Sequence, residues 1–453
     1  MINPSIFREY DIRGIVGTDF DLKDTANIAR SYASYLTKHG GRSVAVGCDC
    51  RETSPAVREA FVGGLKRSGL QVTDVGMCPT PLLYFGIRHL ALDGGVMITA
   101  SHNPPEYNGF KICLGPDTIS GDEIQRLKQI LEEADFIEGS GSEKKADILE
   151  PYCNHLLGDI RLERPVRLAV DAGNGTGGIT SVPVFRGLGC ETVHLFMEPD
   201  GRFPNHEPDP TVPANMETLS RAVVENGLEL GIAFDGDADR LGVVDENGRI
   251  IYGDMLLAIF ARDILADNPG AKIIGEVKCS QLLYDDIKAR GGAPIMWKAG
   301  HSLMKQKLKA EAAMLAGEMS GHFFFNHRYF GFDDAVYAAC RLLELASRRT
   351  GPISSLIGDM PVVYNTPELR LDCPEHLKFP LVDIIRKKLG KENEIIDLDG
   401  VRVVYPDGWA LVRASNTSPV IVLRFEAMSR HRLDEIQQQV GQVVESARAE
   451  LEN

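Results

Sequence analysis

Short apolar runs alternate along the chain with polar loops and helix-like stretches. Three segments share one layout: an apolar run, a polar loop, a helical stretch that ends at glycine, and a second apolar run. These segments cover residues 42–76, 166–196 and 271–301. Each of them is typical of a βαβ unit whose first strand is buried.

A further strand that ends in a polar loop follows each of these units. The loops are residues 101–103, 235–240 and 317–322, and the strands that leave them are predicted at 110–114, 241–244 and 323–325. Ligand sites of open α/β sheets lie at the carboxyl ends of the strands. The repeated pattern therefore predicts three related α/β domains, each of which presents one functional loop.

The pattern changes after residues 350–367. Strands predicted at 401–404, 409–412 and 420–426 are joined by short turns, which favours antiparallel pairing, and they lie between two helices. Residues 132–147 are polar and rich in glycine and serine, so we expect a linker there. The predicted fold class is α/β, with three related mixed-sheet domains and a smaller α+β domain. The predicted boundaries are 1–149, 150–250, 251–364 and 365–453.

Composition narrows the classes of function. The 453 residues carry a net charge of -15, and no basic patch indicates a nucleic-acid partner. No apolar run is long enough to span a bilayer, and the N-terminal residues are charged where a signal peptide needs an apolar core. The nine cysteines are scattered without a metal or redox spacing. We therefore expect a cytoplasmic, reduced protein that binds small molecules.

The segment 99–111, TASHNPPEYNGFK, contains the first chemical candidates. Ser101 and His102 follow a buried strand, and the two prolines after Asn103 fix a rigid loop. Lys111 lies on the strand that leaves the loop. A serine held beside a histidine and a lysine is suited to covalent chemistry, although a serine bonded to the local backbone is an equally ordinary interpretation of this segment alone.

The second loop, DGDADR at 235–240, has acidic residues at alternating positions. Asp235, Asp237 and Asp239 can turn their oxygens onto one hard cation, and Mg²⁺ suits a few carboxylates together with a phosphate oxygen. An EF-hand is rejected because its sixth position requires glycine, whereas Arg240 stands here, and because strands flank the loop. Three close carboxylates repel one another, so a metal or a cationic neighbour is expected.

Residues 173–178 match the G-x-G-x-x-G pattern of a dinucleotide site, and Glu198 lies near the end of the next strand. A nicotinamide site would leave the acidic loop and the first domain without a role. We therefore favour a glycine-rich turn that packs a strand against a helix.

Two further loops carry side chains suited to a sugar phosphate. Glu318 and Ser320, in GEMSGH, are a carboxylate and a hydroxyl that suit sugar hydroxyls. Arg413, Ser415, Asn416 and Thr417, in RASNTSP, suit phosphate. Ordinary turns are the plain alternative for both loops. Other cations at predicted loops are Arg13, Arg51, Lys111, Arg240, Lys278 and Lys298.

Taken together, these motifs resemble the α-D-phosphohexomutase family, in its phosphomannomutase/phosphoglucomutase branch. The resemblance covers the whole chain and rests on FREYDIRG, TASHNPPEYNGFK, DGDADR, WKAGH, GEMSGH, FGFDD and RASNTSP, in family order. The family's usual DGDGDR has Ala238 here, which leaves the three carboxylates intact.

The resemblance implies four domains around a central cleft and a hexose phosphate as substrate. Ser101 would carry a phosphoryl group whose oxygen joins Asp235, Asp237 and Asp239 around Mg²⁺. Transfer to the substrate would give a hexose 1,6-bisphosphate, which reorients before Ser101 accepts the other phosphate. His102, Lys111 and His322 are candidates for moving the hydroxyl proton.

The resemblance also implies how the substrate is held. Glu318 and Ser320 would hold the sugar, and the phosphate that does not react would be held by Arg413, Ser415, Asn416 and Thr417. The remaining residues of the cleft would be Tyr10, Arg13, Arg240, Lys278, His301 and His322.

Two other functions stay open at the level of sequence. One is an NAD(P)-dependent oxidoreductase that uses residues 173–178, and the other is a non-catalytic protein that binds a divalent metal. The protein is expected to be a monomer or a homodimer.

Overall fold

Buried apolar runs form most of the strands that the sequence predicted. The computed structural model, which describes residues 2–415 and 419–452 (452 by its backbone alone), contains four sheets. Each of the first three sheets combines parallel and antiparallel strands, and the fourth is antiparallel. The predicted fold class is confirmed.

The first sheet has seven strands in the order β1-β5-β4-β2-β3-β7, with β6 paired to β5. Its elements in chain order are β1 Ile12–Ile15, α1 Leu22–Lys38, β2 Ser43–Cys48, α2 Ser54–Arg67, β3 Gln71–Met77, α3 Thr80–His89, β4 Gly94–Ile98, β5 Tyr107–Leu114, β6 Asp117–Thr118, α4 Asp122–Glu133 and β7 Ser142–Lys145.

The second sheet has the order β12-β11-β10-β8-β9, and the third has the order β14-β13-β15-β16. The elements of the second are α5 Leu149–Asp159, β8 Arg167–Asp171, α6 Gly177–Gly187, β9 Glu191–Leu195, α7 Glu217–Glu225, β10 Leu230–Phe234, β11 Leu241–Val244 and β12 Ile250–Ile251. Those of the third are α8 Gly253–Asp267, β13 Lys272–Glu276, α9 Gln281–Ala289, β14 Ala293–Trp297, α10 His301–Glu311, β15 Leu315–Gly317, β16 Phe323–Phe325 and α11 Ala335–Ser347.

The fourth sheet has the order β17-β22-β21-β20-β19, with β18 paired to β22. Its elements are β17 Tyr364–Asn365, β18 Leu369–Asp372, α12 Lys378–Leu389, β19 Glu394–Ile396, β20 Val401–Tyr405, β21 Gly408–Ala414, β22 Val420–Ala427 and α13 Arg430–Glu452.

One strand pair recurs in each of the first three sheets. A parallel strand delivers a loop, and the next strand returns antiparallel beside it, as β4–β5, β10–β11 and β15–β16. Both strands of each pair are largely buried, so the loop between them is fixed at its two ends. These are the three loops that the sequence singled out.

The linker predicted at 132–147 is wrong in part. Strand β7 lies within it and adds a parallel edge to β3. All four residues of β7 are exposed, so the segment lacks the alternation of apolar and polar residues that indicates a half-buried strand.

The hydrophobic clusters do not coincide with the four domains. One cluster is continuous from α3 through the second sheet to α11, with members such as Phe85, Ile232 and Tyr337. The fourth domain has a core of its own. It meets the third domain through a small apolar cluster of Val277, Trp409 and Leu411.

A buried arginine strengthens this small interface. Arg402 is fully buried, and its guanidinium lies 3.9 Å from the ring centroid of Trp409. It donates to the carbonyl oxygens of Val277, at 2.6 Å, and Cys279, at 2.9 Å. These bonds join the fourth domain to the segment that follows β13. Among the helices that the structure describes, none is long and apolar enough to cross a membrane.

We expect Arg402→Met to loosen the fourth domain while the other cores stay folded. The change keeps an apolar stem on Trp409 but leaves two buried carbonyl groups without their donor, which costs about 2–4 kcal/mol. Limited proteolysis within residues 350–370 should become at least about tenfold faster. Arg432→Met is the control, because Arg432 makes partly exposed ion pairs in the same domain that contribute little. Equal cleavage rates in the two variants would contradict the prediction.

Candidate active site

Ser101 occupies the loop between β4 and β5 and is buried. Its φ is 51°, in the left-handed region that residues other than glycine seldom adopt. Its Oγ donates to Asp235 Oδ2 at 2.6 Å and lies 3.0 Å from His102 Nδ1. Burial, together with the charges of Arg240 and Arg13, holds the pKa of His102 well below its usual value. A neutral imidazole therefore adjoins the serine hydroxyl.

The acidic loop follows β10 and is fully enclosed. Asp235, Asp237 and Asp239 are each 0% exposed, and one oxygen of each lies within 4.8 Å of the others. Lys111 of β5 donates to Asp237 Oδ2 at 2.6 Å and also to Asp239. Burial alone would lower the pKa of Lys111, but these carboxylates outweigh it and raise the pKa. Lys111 is thus the cationic neighbour that the sequence required.

The acidic loop also fits a divalent cation. Asp237 Oδ1 is buried and has no hydrogen-bond partner among the described residues. Burial, and then the charges of the other two aspartates, raise the pKa of Asp235 well above its usual value. Carboxylate oxygens are hard ligands that suit a divalent cation, and Ser101 Oγ donates to one of these carboxylates, Asp235. The donor set is therefore consistent with a divalent metal.

His322 joins the acidic loop to the loop at 317–322. Its Nε2 lies 3.2 Å from Asp239 Oδ1, and its Nδ1 lies 2.8 Å from Glu318 Oε2 and 3.1 Å from Ser320 Oγ. Burial opposes a charged imidazole, but Asp239 and Glu318 outweigh it and raise the pKa of His322 to about 9. The third domain thus supplies a second cation to the same buried cluster.

Residues near the N-terminus close one side of this cluster. Tyr10 donates its hydroxyl to the Ala299 carbonyl at 2.9 Å, and its ring lies 6.0 Å from that of His301. The His301 ring in turn lies 5.8 Å from that of His322. Arg13 donates to Asn103 Oδ1 in the loop between β4 and β5, residues 99–106, which carries Ser101 and is called the serine loop.

Arg240 Nε and His322 Nε2 are 3.4 Å apart. The structure therefore places Arg240, the last residue of the acidic loop, against the loop at 317–322. Both belong to the residues that the sequence analysis assigned to the cleft.

Lys278 and Arg413 are each held by carboxylates. Lys278 Nζ lies 3.5 Å from Glu276 and 3.4 Å from Glu368. Arg413, on β21, pairs with Asp399 at 3.0 Å. Ser415 follows β21 and is buried. Asn416 and Thr417 lie outside the described residues.

The glycine-rich turn at 173–178 packs against protein. A Cβ on Gly175 would lie 2.6 Å from the Gly236 carbonyl oxygen, and one on Gly177 would lie 2.9 Å from the Phe234 ring. Thr176 donates its backbone N–H to the same Gly236 carbonyl at 3.0 Å. The close approach that a dinucleotide pyrophosphate needs is taken by the acidic loop, so the turn is a packing element.

Three residues at the site were not assigned a role from the sequence. Arg51 binds the backbone of the serine loop, and Thr80 donates its N–H to the Asp237 carbonyl at 2.9 Å. Asp333 is fully buried; its Oδ1 accepts from Lys305 at 2.9 Å, and its Oδ2 lies 4.0 Å from both His301 and His322. The FGFDD motif was the available signal for Asp333.

Comparisons with known proteins agree along the chain. Residues 4–138, 150–248 and 252–364 match the families described as phosphoglucomutase/phosphomannomutase, alpha/beta/alpha domains I, II and III, and residues 368–443 match the C-terminal domain. A phosphomannomutase/phosphoglucomutase of Pseudomonas aeruginosa is 46% identical over 433 residues, which are 95% of this chain and 94% of that protein. A phosphoglucomutase of Neisseria gonorrhoeae is 46% identical over 98% of both chains.

A solved structure supports the same assignment. The crystal structure of a phosphoglucomutase/phosphomannomutase family protein from Burkholderia thailandensis is 44% identical and has a TM-score of 0.94, covering 99% of this chain and 98% of that one. The chain therefore belongs to the phosphoglucomutase/phosphomannomutase family of isomerases.

Proposed function

We propose that the protein interconverts the 1- and 6-phosphates of mannose and of glucose, through a phosphorylated Ser101 and a hexose 1,6-bisphosphate. The observation that carries this proposal is the environment of Ser101 Oγ, which lies 2.6 Å from Asp235 and 3.0 Å from His102. An oxygen in this position has a carboxylate cluster on one side and a neutral imidazole on the other.

The chemistry is a pair of phosphoryl transfers. In the first, the P–O bond to Ser101 Oγ breaks, a P–O bond forms to the free hydroxyl of a hexose monophosphate, and the hydroxyl proton passes to a side chain. Of the three candidates, His102 is the one that can accept this proton, because its lowered pKa keeps the imidazole neutral. Lys111 and His322 are already protonated, since nearby carboxylates raise the pKa of each, and they can only donate a proton. After the bisphosphate reorients, the P–O bond to its other sugar oxygen breaks and that phosphoryl group bonds to Ser101 Oγ. The side chain returns its proton to the sugar oxygen, and the protein is back in its starting state.

Asp235, Asp237 and Asp239 would hold Mg²⁺ together with the phosphoryl group on Ser101. When bound, the metal supplies positive charge to the phosphoryl oxygens. Lys111 and Arg240 contribute fixed positive charge beside the carboxylates, so that phosphoryl transfer takes place among preorganised charges.

The substrate would lie between the four loops. Glu318 and Ser320 would bind sugar hydroxyls, and Arg413, Ser415, Asn416 and Thr417 would bind the phosphate that does not react. The other residues proposed to line the cleft are Tyr10, Arg13, Arg240, Lys278, His301 and His322.

Intact mass tests the covalent step. We expect the purified protein to carry one phosphoryl group that phosphatase removes, and Ser101→Ala to lack it. Turnover of Ser101→Ala should fall by about 10⁴-fold or more, because the covalent carrier is lost. Ser120→Ala is the matched control, since Ser120 is a buried serine that contacts Gln306 outside the site. Near-normal turnover of Ser101→Ala would refute the covalent route.

We expect the fourth domain to close on the substrate. This domain carries Arg413, has a separate core and meets the third domain through a small apolar cluster, whereas one larger apolar cluster extends across parts of the first three domains. Closure would exclude water, which otherwise competes as phosphoryl acceptor. Small-angle scattering should show a smaller radius of gyration with glucose 1,6-bisphosphate than with glucose. No change between these two conditions would contradict closure.

We expect the enzyme to accept both mannose and glucose phosphates. The two sugars differ only at carbon 2, and hydroxyls 3 and 4 exchange places when the sugar flips between its two orientations. Glu318 and Ser320 can bind those hydroxyls in both orientations, whereas carbon 2 moves across the site. Relatives of equal identity carry the names phosphomannomutase/phosphoglucomutase and phosphoglucomutase.

The measurement is kcat/KM for the two 1-phosphates. A ratio within about 200-fold is expected where no buried polar group is left unpaired by one epimer. A preference beyond about 10⁴, the level that hydrogen-bond recognition reaches, would show that carbon 2 is recognised.

A further inference from the structure

Every nitrogen of the Arg51 guanidinium group forms hydrogen bonds, the terminal two with backbone carbonyls at the serine loop and Nε with the Asp49 carboxylate. Arginine has five N–H donors in a fixed plane, and here both terminal nitrogens bind backbone carbonyl oxygens. Nη2 donates to the carbonyls of Ser101 (2.8 Å) and Asn103 (2.6 Å), Nη1 donates to those of Pro104 (2.5 Å) and Tyr107 (3.1 Å), and Nε donates to Asp49 Oδ2 (3.0 Å). The side chain is 1% exposed.

The loop that Arg51 binds has little support of its own. Pro104 and Pro105 have no N–H group, and the bonds within the loop include those from Asn103 N–H to the Ala100 carbonyl, at 3.0 Å, and from Tyr107 N–H to the Pro104 carbonyl, at 3.1 Å. Ser101 has a positive φ, which persists only where the surroundings enforce it. Four carbonyl groups directed at one buried cation provide that enforcement.

The Arg51 guanidinium is in turn held by Asp49, on the side away from the serine loop. Asp49 Oδ1 accepts from the Ser54 hydroxyl at 2.5 Å and from the Arg51 N–H at 3.1 Å. Asn108, on β5, donates to the same Ser54 hydroxyl at 2.9 Å. This network ties Arg51 to the start of α2 and to the strand that leaves the loop, so Arg51 cannot move independently of the sheet.

We propose that Arg51 is a positioning residue for phosphoryl transfer, which it serves by fixing the serine loop so that Ser101 Oγ stays beside Asp235. Its contact with Ser101 is to the carbonyl oxygen, so it takes no part in bond making. The proposal rests on the proposed role of Ser101 as phosphoryl carrier. Arg51 therefore affects the rate of phosphoryl transfer, whereas the loops of the third and fourth domains bind the substrate.

The test is Arg51→Lys, which keeps the charge but offers donors from a single point that cannot reach four carbonyls. We expect kcat to fall by about 10²-fold, the size of effect that a displacement of about 1 Å produces. KM for glucose 1-phosphate should stay within about threefold, because uniform binding is unchanged. The hydrolysis rate of the phosphoserine, followed by intact mass, should also change.

Arg341→Lys is the matched control. Arg341 is 2% exposed and binds the His327 carbonyl and Asp263, away from the serine loop. Its replacement removes comparable buried bonds, so any loss of kcat caused by general destabilisation appears in both variants. The two should therefore be compared at matched shifts of the unfolding midpoint.

The outcomes separate the two proposals. Absence of phosphate on Ser101 in the wild-type protein refutes the phosphoserine mechanism. If the wild-type protein carries phosphate but Arg51→Lys loses no more kcat than Arg341→Lys, or if only its KM rises, the positioning role of Arg51 is overturned.

If Arg51→Lys does not fold, the proposal is tested with Asp49→Asn instead. This variant keeps the volume of the side chain and removes the charge that anchors Nε. A loss of kcat of about tenfold at constant KM supports the proposal, and an unchanged kcat overturns it.

Discussion

The arrangement of the first three domains depends on the burial of three carboxylates within five residues. Asp235, Asp237 and Asp239 have no contact with solvent, and such a cluster is stable only when positive charge reaches it. That charge comes from other domains, because Lys111 lies on a strand of the first sheet and His322 is the last residue of the third domain's loop. Removal of one partner from a buried ion pair costs about 3–5 kcal/mol, so the charges hold the three loops together.

Charge alone does not bring loops this close; the backbone has to permit the approach. A Cβ on Gly236 would lie 2.4 Å from the Ser101 carbonyl oxygen, and a Cβ on Gly175 would lie 2.6 Å from the Gly236 carbonyl oxygen. Glycine at these two positions therefore lets the acidic loop pack directly against the backbone of both the Ser101 loop and the glycine-rich turn. The glycine-rich turn at 173–178 is explained by this packing.

Local features of the site could be predicted from the sequence, and long-range ones could not. The alternating aspartates and the strands Leu241–Val244 and Phe323–Phe325 are encoded in neighbouring residues, so the sequence was sufficient for them. The pairing of Lys111 with Asp237 joins residues 126 positions apart and depends on how two sheets pack. Strand β7 was missed because all its residues are polar and exposed, and its position is set by the free edge of β3.

Lys278 in the third domain and Arg413 in the fourth are bound by carboxylates outside the acidic loop. Lys278 is flanked by Glu276 and Glu368, and Arg413 is bound by Asp399, which also accepts a backbone N–H from Ala299. The phosphate proposed to bind Arg413 would have to compete with that carboxylate, and part of its binding energy would be used to break the pair. The Asp399 carboxylate also accepts the Ala299 N–H of the third domain, so its release from Arg413 would leave an unpaired carboxylate at a contact between the third and fourth domains. The proposed phosphate site and the interface between these two domains therefore share one carboxylate, whereas the acidic loop is held by its own buried charges.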